Sequence, residues 1–484
     1  MIISDAPPTA ADLRDTDELV EVLRKAGLYE PDEETARRER AVAELTQALH
    51  DWAPAGAGVR LHTFGSYRLG VQCSGSDVDT LCVGPATLSR DAFFSGFGDV
   101  LRGHPKVARF TAVPAARVPV MKFVFDSVEV DMLYAALAVD AVPRHLDLCD
   151  AGVLVGVDDT TALSLSGCRV TDGIVKRVPD VETFRTALRA VRHWCRAAGL
   201  YSNAMGLLAG VQCAVLTARV CQLYPRAAPA TLVRKFFALY ARWEWGARTP
   251  VALGEIARHA SLRLPQWGDA RKDRSDPVVI LTPVYPVQNT ARNAGRYTCR
   301  MLRERLREGE QRLRDGRAWT HLFRPADKPC KRFLAVSVWT ADGDAAAQRR
   351  WAGFVESRLP ALLRCLDRNQ RWNTEGLEVY PVPGAFRVPA AGRPHQQRFF
   401  VGMKTIRDAT EAVLGRHRVD LHGALEHFRA TLREFGGGGR DNMRVEFEVA
   451  ARKQLPDAAR PPKRRRDETA SEPARKKVRA ATAG

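Results

Sequence analysis

The amino-acid sequence predicts a multidomain α+β protein, and three features of the chain support this prediction. The chain has 484 residues, which corresponds to about three domains at roughly 100–200 residues per domain. Apolar residues make up 45% of the chain, enough to form buried cores. The apolar periodicity changes along the chain from helices to short strands, then to helices, and finally to alternating strands and helices.

The first 140 residues divide into a helical and a strand-rich part. Residues 11–51 have the pattern of two amphipathic helices, and the sequence PAGAG at 54–58 then breaks the helical pattern. Four strands are predicted after it: Asp77–Val83, Val107–Val113, Val118–Phe125 and Val128–Tyr134. We therefore expect N-terminal helices over 1–51 that pack on the middle domain, and a mixed α/β domain over 52–140.

The middle of the chain is predicted to be helical. Residues 141–182 have a mixed, loop-like pattern, and helices follow from Phe184 to about Trp245. Four arginines recur at helical spacing on the face opposite the apolar residues: Arg185, Arg189, Arg192 and Arg196. Such a stripe of charges is typical of a solvated helix face. We expect a helical middle domain over 141–320.

Residues 331–450 alternate between strand and helix patterns. The predicted elements are strand 332–339, helix 345–367, strands 377–382 and 397–404, helix 420–434 and strand 443–450. This βαββαβ order is the ferredoxin-like order, which RNA-recognition motifs also use. We therefore expect a ferredoxin-like (RRM-like) C-terminal domain over 321–450, in which the aromatic signature of a typical recognition motif is absent, so base stacking on its sheet does not follow.

The charge of the chain points to a polyanionic partner. The formal net charge is +18, a balance that favours nucleic acid, with an anionic membrane surface as the competing interpretation. Residues 451–484 carry +7 of this charge, and we expect them to form a disordered basic tail. Two basic clusters in this tail resemble a bipartite nuclear localisation signal: Lys463, Arg464, Arg465 and Arg466, then Arg475, Lys476 and Lys477. The alternative is a solvated tail that attracts RNA.

Several classes of protein are disfavoured by what the sequence lacks. The ten cysteines include no Cys-x-x-Cys pair, which argues against a structural zinc site, and they do not form a dense disulfide framework. The first residues lack the form of a signal peptide. The most apolar stretch, Ala204 to Ala218, is too short to span a bilayer, so we expect no membrane partner.

Three aspartates form the candidate reaction centre. Asp77 and Asp79 are two residues apart in a predicted strand, so their side chains project from the same face. Asp131 lies in an otherwise apolar strand, where a carboxylate is costly unless it is paired or bound to metal. Carboxylates clustered on one face are suited to hold two Mg²⁺ or Mn²⁺ ions for phosphoryl chemistry. The Gly65-Ser66 turn lies twelve residues before Asp77 and could hold phosphate oxygens through its N–H groups.

The region around these residues resembles a known family. FGSYRLGV and SDVDTLCV within residues 62–83 resemble the catalytic motif of nuclear-type eukaryotic poly(A) polymerases, in the polymerase-β-like nucleotidyltransferase superfamily. The resemblance continues through residues 167–211, 218–225, 231–245 and 280–290 of the middle region, and through 349–359 and 446–456 near the C-terminus. It implies a nucleotidyltransferase palm, a helical middle domain and template-independent transfer of AMP from ATP to the 3′ end of RNA. It further implies 3′-end-processing factors as partners, and the nucleus as the location.

The resemblance also implies roles for individual residues. Asp77, Asp79 and Asp131 would be the catalytic residues and would hold the two metal ions. The ATP-binding residues would be Phe64, Gly65 and Ser66 at the nucleotide and its triphosphate, Arg192, Arg196 and Tyr201 at the triphosphate, and Gly210 and Val211 at the adenine. No histidine is needed as a base.

The chain departs from the family pattern at three places near the nucleotide. Arg192 stands where the family has lysine, and a planar guanidinium replaces a compact ammonium there. Ser166 stands where the family has asparagine, and Gln72-Cys73-Ser74 replaces a His-Thr-Lys run. These departures bear on how the chain holds its nucleotide.

Two other functions fit part of the sequence. One is a terminal transferase with another NTP preference, against which the C-terminal βαββαβ module argues. The other is a catalytically weak or inactive RNA-binding subunit of a polyadenylation heterodimer. All three aspartates are present, whereas loss of a carboxylate would be the mark of such a subunit.

Overall fold

The computed structural model describes residues 2–316, 318–326, 330–372, 374–406, 419–436 and 440–459. The helices in these residues are α1 (Ala10–Lys25), α2 (Asp32–Trp52), α3 (Gly65–Arg68), α4 (Arg90–Ala92), α5 (Gly98–Gly103), α6 (Asp159–Val175), α7 (Val181–Ala197), α8 (Gly210–Leu223), α9 (Pro229–Tyr240), α10 (Arg296–Arg314), α11 (Ala345–Leu366) and α12 (His422–Leu432), with a π-helical turn at Phe93–Phe97. The strands are β1 (Arg60–Phe64), β2 (Val78–Pro85), β3 (Val107–Val113), β4 (Val120–Phe125), β5 (Val128–Leu137), β6 (Arg332–Thr340), β7 (Leu377–Arg387), β8 (Gln397–Thr405) and β9 (Met443–Ala451).

The first five strands form one mixed sheet in the order β1-β2-β5-β4-β3. β2 and β5 are parallel neighbours, and the other pairs are antiparallel. All four strands predicted in this region are present, with β5 extending three residues beyond its predicted end at Tyr134. The sequence did not single out β1, whose residues are all only partly buried and therefore lack a clear alternation.

The two faces of this sheet pack against different layers. Leu45 and Leu49 of α2 pack with Phe93, Phe97 and the sheet residue Tyr134 on one face. On the other face, Leu81 and Leu137 pack with Leu165 of α6. Because side chains alternate along a strand, the odd-numbered positions of β2 and β5, including both strand aspartates, lie on the α6 side.

The helix α6 corrects a sequence-based expectation. We expected 141–182 to be loop-like, but residues 159–175 of this stretch form a helix whose N-cap Asp158 accepts a hydrogen bond from the N–H of Thr161. Half of this helix is buried, including the guanidinium-bearing side chain of Arg169. The helix was not recognised in the sequence because polar residues such as Ser164 and Thr171 are buried in it together with the apolar ones. Its buried positions therefore do not form a regular apolar pattern.

The two N-terminal helices pack in different places. α1 packs on α9, where Asp15 pairs with Arg234 and accepts a hydrogen bond from the indole of Trp319. We expected both helices to pack on the middle part of the chain, but α2 covers the first sheet instead. In the middle part, the predicted apolar face of α7 is buried, with Phe184 and Leu188 fully inside the core.

The last four strands form an antiparallel sheet in the order β7-β8-β6-β9. The observed sequence of elements is strand, helix, strand, strand, helix, strand, and α11 packs on β6, β7 and α12. Arg300 of α10 donates two hydrogen bonds to the carboxylate of Asp367, which follows α11, at 3.2 and 2.8 Å, and one to the carbonyl of Val379 in β7, and so joins this part of the chain to the middle helices. No helix in the described part of the chain is both long enough and apolar enough to span a membrane.

Candidate active site

The three aspartates singled out in the sequence come together at one edge of the first sheet. Asp79 and Asp131 are direct neighbours in the parallel pairing of β2 with β5, and Asp77 immediately precedes β2. One carboxylate oxygen from each of the three lies within 4.8 Å of the others. The strand register therefore explains why residues separated by about fifty positions in sequence form one cluster.

The electrostatics of this cluster suit divalent cations. Burial and the neighbouring carboxylates of Asp77 and Asp131 raise the pKa of Asp79 to about 7, so three full negative charges are unfavourable without a counter-charge. The ammonium of Lys122, on the adjacent strand β4, already contacts the Asp131 carboxylate. Carboxylate oxygens are the ligands that Mg²⁺ prefers, so these side chains fit such an ion.

The Gly65 turn lies directly against this carboxylate cluster. Gly65 has φ +65°, and a Cβ atom at this position would lie 2.1 Å from Oδ2 of Asp79. Its N–H donates to the hydroxyl of Thr171 on α6, at 3.3 Å. Glycine adopts this left-handed conformation without steric cost, and the absence of a Cβ atom is what allows the backbone to approach the carboxylate so closely.

A cavity of about 380 Å³ opens next to the carboxylates. It is lined by the predicted residues Gly65, Ser66, Asp77, Asp79, Arg192, Arg196, Tyr201, Gly210 and Val211. One wall is formed by the first sheet and the turn after β1, and the opposite wall by α6, α7 and α8. The fold therefore brings together most of the residues that the sequence singled out, although they span nearly 150 positions.

Phe64, Asp131 and Ser166 were singled out in the sequence but are not among the residues that line the cavity. Phe64 packs its ring on α6, where a Cβ atom at Gly167 would lie 2.7 Å from it. Asp131 completes the carboxylate cluster from β5. Ser166 is exposed on α6 and is not among the lining residues.

Five lining residues were not singled out in the sequence: Leu69, Ser76, Val170, Thr171 and Ile174. Three of them belong to α6, which we did not recognise as a helix. Val170 and Ile174 are four residues apart, and a helical assignment would have placed them together on one face. Without that assignment, the sequence carries no signal for their role.

Arg196 and Tyr201 form a stacked pair at the cavity. The guanidinium carbon of Arg196 lies 4.7 Å from the centre of the Tyr201 ring, within the range of a cation–π interaction. The Tyr201 hydroxyl lies close to Gly210 at the start of α8, since a Cβ atom there would be 3.3 Å from it. A cation and a hydroxyl are thus presented at the same wall.

The expectation that Arg185 and Arg189 are merely solvated is wrong. Arg185 donates from Nε to the carbonyl of Leu69 at 2.9 Å, and Arg189 donates to the carbonyl of Gly70 at 2.5 Å. Both side chains therefore reach from α7 to the segment that follows α3. Charge periodicity alone cannot distinguish such contacts from solvation.

Residues 72–74, which differ from the family pattern, lie in a segment that is bound by residues near the N-terminus of the chain. Gln72 donates to the Glu30 carboxylate at 3.2 Å. The same carboxylate pairs with Arg38 of α2, and Arg38 also donates to the carbonyl of Ser76. We refer to Glu30, Arg38 and Gln72 as the Glu30 cluster.

Burial lowers the pKa of both His62 and His193 below the ordinary value of a histidine, and neither side chain is among the residues that line the cavity. The nuclear-signal residues Lys463–Arg466 and Arg475–Lys477 lie outside the described residues.

Comparison with known proteins identifies relatives along most of the chain. The family model of the poly(A) polymerase nucleotidyltransferase domain matches residues 2–178, and that of the poly(A) polymerase central domain matches residues 183–325. A poly(A) polymerase of Dictyostelium discoideum is 34% identical over 478 residues, covering 94% of this chain and 58% of the relative. Nuclear poly(A) polymerase 4 of Arabidopsis thaliana is 36% identical over 480 residues, covering 94% of this chain and 63% of the relative.

The chain spans about three fifths of the length of these curated relatives. Among solved structures, a cytoplasmic RNA terminal U-transferase is similar with a TM-score of 0.47 at 16% identity, covering 65% of this chain and 99% of that chain. The two family models follow one another in the order of the first sheet and the middle helices. On these sequence matches, the chain belongs to the poly(A) polymerase family.

Proposed function

We propose that this chain is a poly(A) polymerase that transfers AMP from ATP to the 3′-hydroxyl of RNA without a template and releases pyrophosphate. One observation carries the proposal: a single cavity is lined both by the carboxylates Asp77 and Asp79 and by cationic side chains of α7. A nucleoside triphosphate needs both features. The cationic side chains would bind its anionic phosphates, and the carboxylates would hold the metal ions that assist the attack of a hydroxyl on its α-phosphorus.

The residues around the cavity would share the work of holding ATP. Arg192, Arg196 and Tyr201 would bind the triphosphate, while Gly65 and Ser66 would line its phosphates from the other wall. Gly210 and Val211, at the start of α8, would contact the adenine, and Phe64 would support the turn from behind. The stacked Arg196 and Tyr201 side chains restrict each other, which lowers the entropy cost of orienting them on binding.

Asp77, Asp79 and Asp131 would be the catalytic carboxylates that hold two divalent cations, Mg²⁺ or Mn²⁺. Such ions, when bound, would supply positive charge at the attacking 3′ oxygen and at the departing pyrophosphate. The close oxygens of these side chains and the raised pKa of Asp79 support this assignment.

We further propose the same division into domains as the sequence suggests. A polymerase-β-like catalytic palm would cover 52–140 and the helical middle domain 141–320, preceded by the helices of 1–51. A ferredoxin-like, RNA-binding domain would cover 321–450, which the βαββαβ order of its elements supports. The expected tail of 451–484 would be shorter than the sequence suggests, because residues 451–459 contain the end of β9 and two helical turns, with Leu455 fully buried; a basic tail would follow residue 459.

The cellular role would be polyadenylation in the nucleus. Relatives in Arabidopsis thaliana are named nuclear poly(A) polymerases, and the two basic clusters of the tail are of the kind that import receptors recognise. The RNA 3′ end and ATP would be its substrates, and 3′-end-processing factors its protein partners.

An elongation assay tests the proposal. The protein is incubated with a short labelled RNA and Mg²⁺ or Mn²⁺, with each of the four NTPs supplied separately. We expect elongation with ATP and none above background with the others. The Asp79→Ala variant should lose at least about a thousandfold in AMP incorporation, as expected when a group central to transition-state stabilisation is removed, while its circular dichroism spectrum and RNA affinity stay unchanged.

Each contrary result points to a different function. Elongation with UTP in preference to ATP would identify a terminal transferase of another specificity. No elongation with any NTP, together with RNA binding, would identify an RNA-binding subunit. Retained activity in the Asp79→Ala variant would refute the metal assignment.

A further inference from the structure

Three arginines on successive turns of α7 bind three successive carbonyl groups of the segment after α3. The pairs run in order: Arg185 with Leu69 at 2.9 Å, Arg189 with Gly70 at 2.5 Å and Arg192 with Val71 at 2.6 Å. Their spacing of four and three residues places all three on one face of α7. We call Arg185, Arg189 and Arg192 the arginine ladder.

The ladder is a set of directed contacts rather than a cluster of ion pairs. Arg185 also contacts Glu182, but no carboxylate in the described residues pairs with Arg189 or Arg192. Arg192 is only 8% exposed, so it depends on the backbone carbonyl that it binds. Arg189 lies over the ring of Tyr29, at 4.4 Å from the ring centre. A buried guanidinium held this way resists displacement, because leaving the carbonyl would cost a charged hydrogen bond.

The acceptor segment is shaped to receive these side chains. Gly70 has φ +68°, and a Cβ atom there would lie 2.3 Å from Nε of Arg185. Glycine at position 70 therefore allows both the left-handed turn of the backbone and the close approach of the Arg185 side chain. Leu69 itself lines the cavity, four residues after Gly65.

The ladder connects the two walls of the cavity. The segment that it binds continues the turn with Gly65 and Ser66, whereas its donors lie on the same helix as the cavity residue Arg196. The distance between the two walls is thereby set by three hydrogen bonds. The Glu30 cluster holds the continuation of the same segment, through Gln72 and the carbonyl of Ser76.

We propose that Arg185 and Arg189 are positioning residues for the nucleotide, which hold the 69–71 segment on α7 so that the cavity width fits a nucleoside triphosphate. The inference rests on the proposed function and deepens it, because neither residue lines the cavity itself. Arg192 combines the same anchoring role with its place on the cavity wall.

The test compares the full chain with Arg185→Gln, Arg189→Gln and Arg189→Lys variants. We expect each glutamine variant to raise the KM for ATP about tenfold, the factor typical of a lost charged hydrogen bond, with the KM for RNA within about twofold of wild type. Arg189→Lys should recover part of the loss, since an ammonium can still donate to the Gly70 carbonyl. Amide hydrogen exchange over residues 65–76 of the nucleotide-free protein should become faster in the glutamine variants.

Arg242→Gln is the matched control. Arg242, two residues after the end of α9, also donates to a backbone carbonyl, that of Ala238 at 2.6 Å, and pairs with Glu310, but its side chain is exposed. This variant should keep both KM values and the exchange pattern of residues 65–76.

The outcomes separate this inference from the function on which it rests. An unchanged KM for ATP with unchanged exchange overturns the inference, and so does an equal rise in both KM values. If the wild-type protein fails to elongate RNA with each of the four NTPs, the proposed function is overturned instead. In that case the exchange measurement still decides whether Arg185 and Arg189 anchor the segment.

Discussion

The carboxyl group of Asp79 is affected both by burial and by the negative charges of its neighbours in the candidate site. Its carboxylate is the one that Gly65 approaches, and its strand neighbour is Asp131. In metal-free protein the folded state binds the Asp79 proton more tightly than the unfolded state does, because the folded pKa is about 7 against an ordinary value near 4. The contribution of this group to stability is therefore favourable at low pH and falls as the pH rises from about 4 to about 7.

Asp79→Asn should make the metal-free protein more stable at pH 8 and leave its stability at pH 4 nearly unchanged. Asparagine removes the buried charge, and we expect the thermal midpoint at pH 8 in EDTA to rise by about 3–8 °C. Addition of Mn²⁺ should raise the midpoint of wild type at pH 8 but not that of the variant. Differential scanning calorimetry at the two pH values measures this. A wild-type midpoint equal to that of the variant at both pH values would contradict the prediction.

The pairing of Asp77 with Asp79, and the need for Asp131, could be predicted from the sequence because alternation along a strand is a local property. The positive charge that balances Asp131 could not be predicted from the sequence. Lys122 faces Asp131 only through the register of β4 with β5, and register is set by long-range pairing. The carbonyl acceptors of Arg185 and Arg189 were hidden for the same reason, since they lie more than a hundred residues earlier in the chain.

Among the helices and strands, those with a clear apolar stripe were predicted well. Strand Val107–Val113 has its predicted bounds, and helix α11 ends one residue before the predicted end. α6 was missed because it is buried on several sides and carries Ser164 and Arg169 inside, so its pattern lacks contrast. This omission mattered, since α6 supplies part of the cavity wall.

The connection between α1 and α2 is joined to the active-site segment through the Glu30 cluster. The Arg38 and Glu30 side chains are only 6% and 2% exposed, so the pair depends on mutual neutralisation. Removing one partner of such a pair leaves an uncompensated buried charge, whereas replacing both removes that penalty. This reasoning makes the pair testable by a double-mutant cycle.

Arg38→Met should lower the free energy of unfolding by about 3–5 kcal/mol. Adding Glu30→Gln should restore part of the loss, so that the double variant is more stable than Arg38→Met alone. Urea titrations followed by tryptophan fluorescence measure the cycle. Lys106→Met is the control, because Lys106 pairs with Glu44 on the surface, and such pairs contribute about 1 kcal/mol or less. Additive effects of the two substitutions would show that the pair is not coupled.

At the scale of the whole molecule, α10 links the C-terminal sheet to the middle helices. Arg300 binds the Asp367 carboxylate through two hydrogen bonds and also donates to the carbonyl of Val379 at 2.9 Å. Tyr380 on the same strand donates to Glu304, one turn further along α10. The C-terminal sheet is therefore fixed to the middle helices by polar contacts with defined geometry.

The basic charge of the chain is divided between the folded part and the tail. Residues 461–484, which make up most of the tail and include both basic clusters, hold eight lysines and arginines and three acidic residues, a net of +5 out of +18. Most of the positive charge therefore remains when the tail is removed. Attraction to RNA phosphates depends on the number of cations that reach the RNA, so the tail and the folded part can contribute separately.

Deletion of residues 461–484 should leave elongation of a short RNA with ATP within about twofold of wild type, because no cavity residue is lost. It should also abolish nuclear accumulation, since both basic clusters are removed. Elongation assays and microscopy of a fluorescent fusion measure the two effects. Fusing the same 24 residues to a cytoplasmic reporter protein is the matched test of sufficiency. If the shortened chain still accumulates in nuclei, the tail is not the import signal; if elongation is lost instead, the tail contributes to RNA binding at the active site.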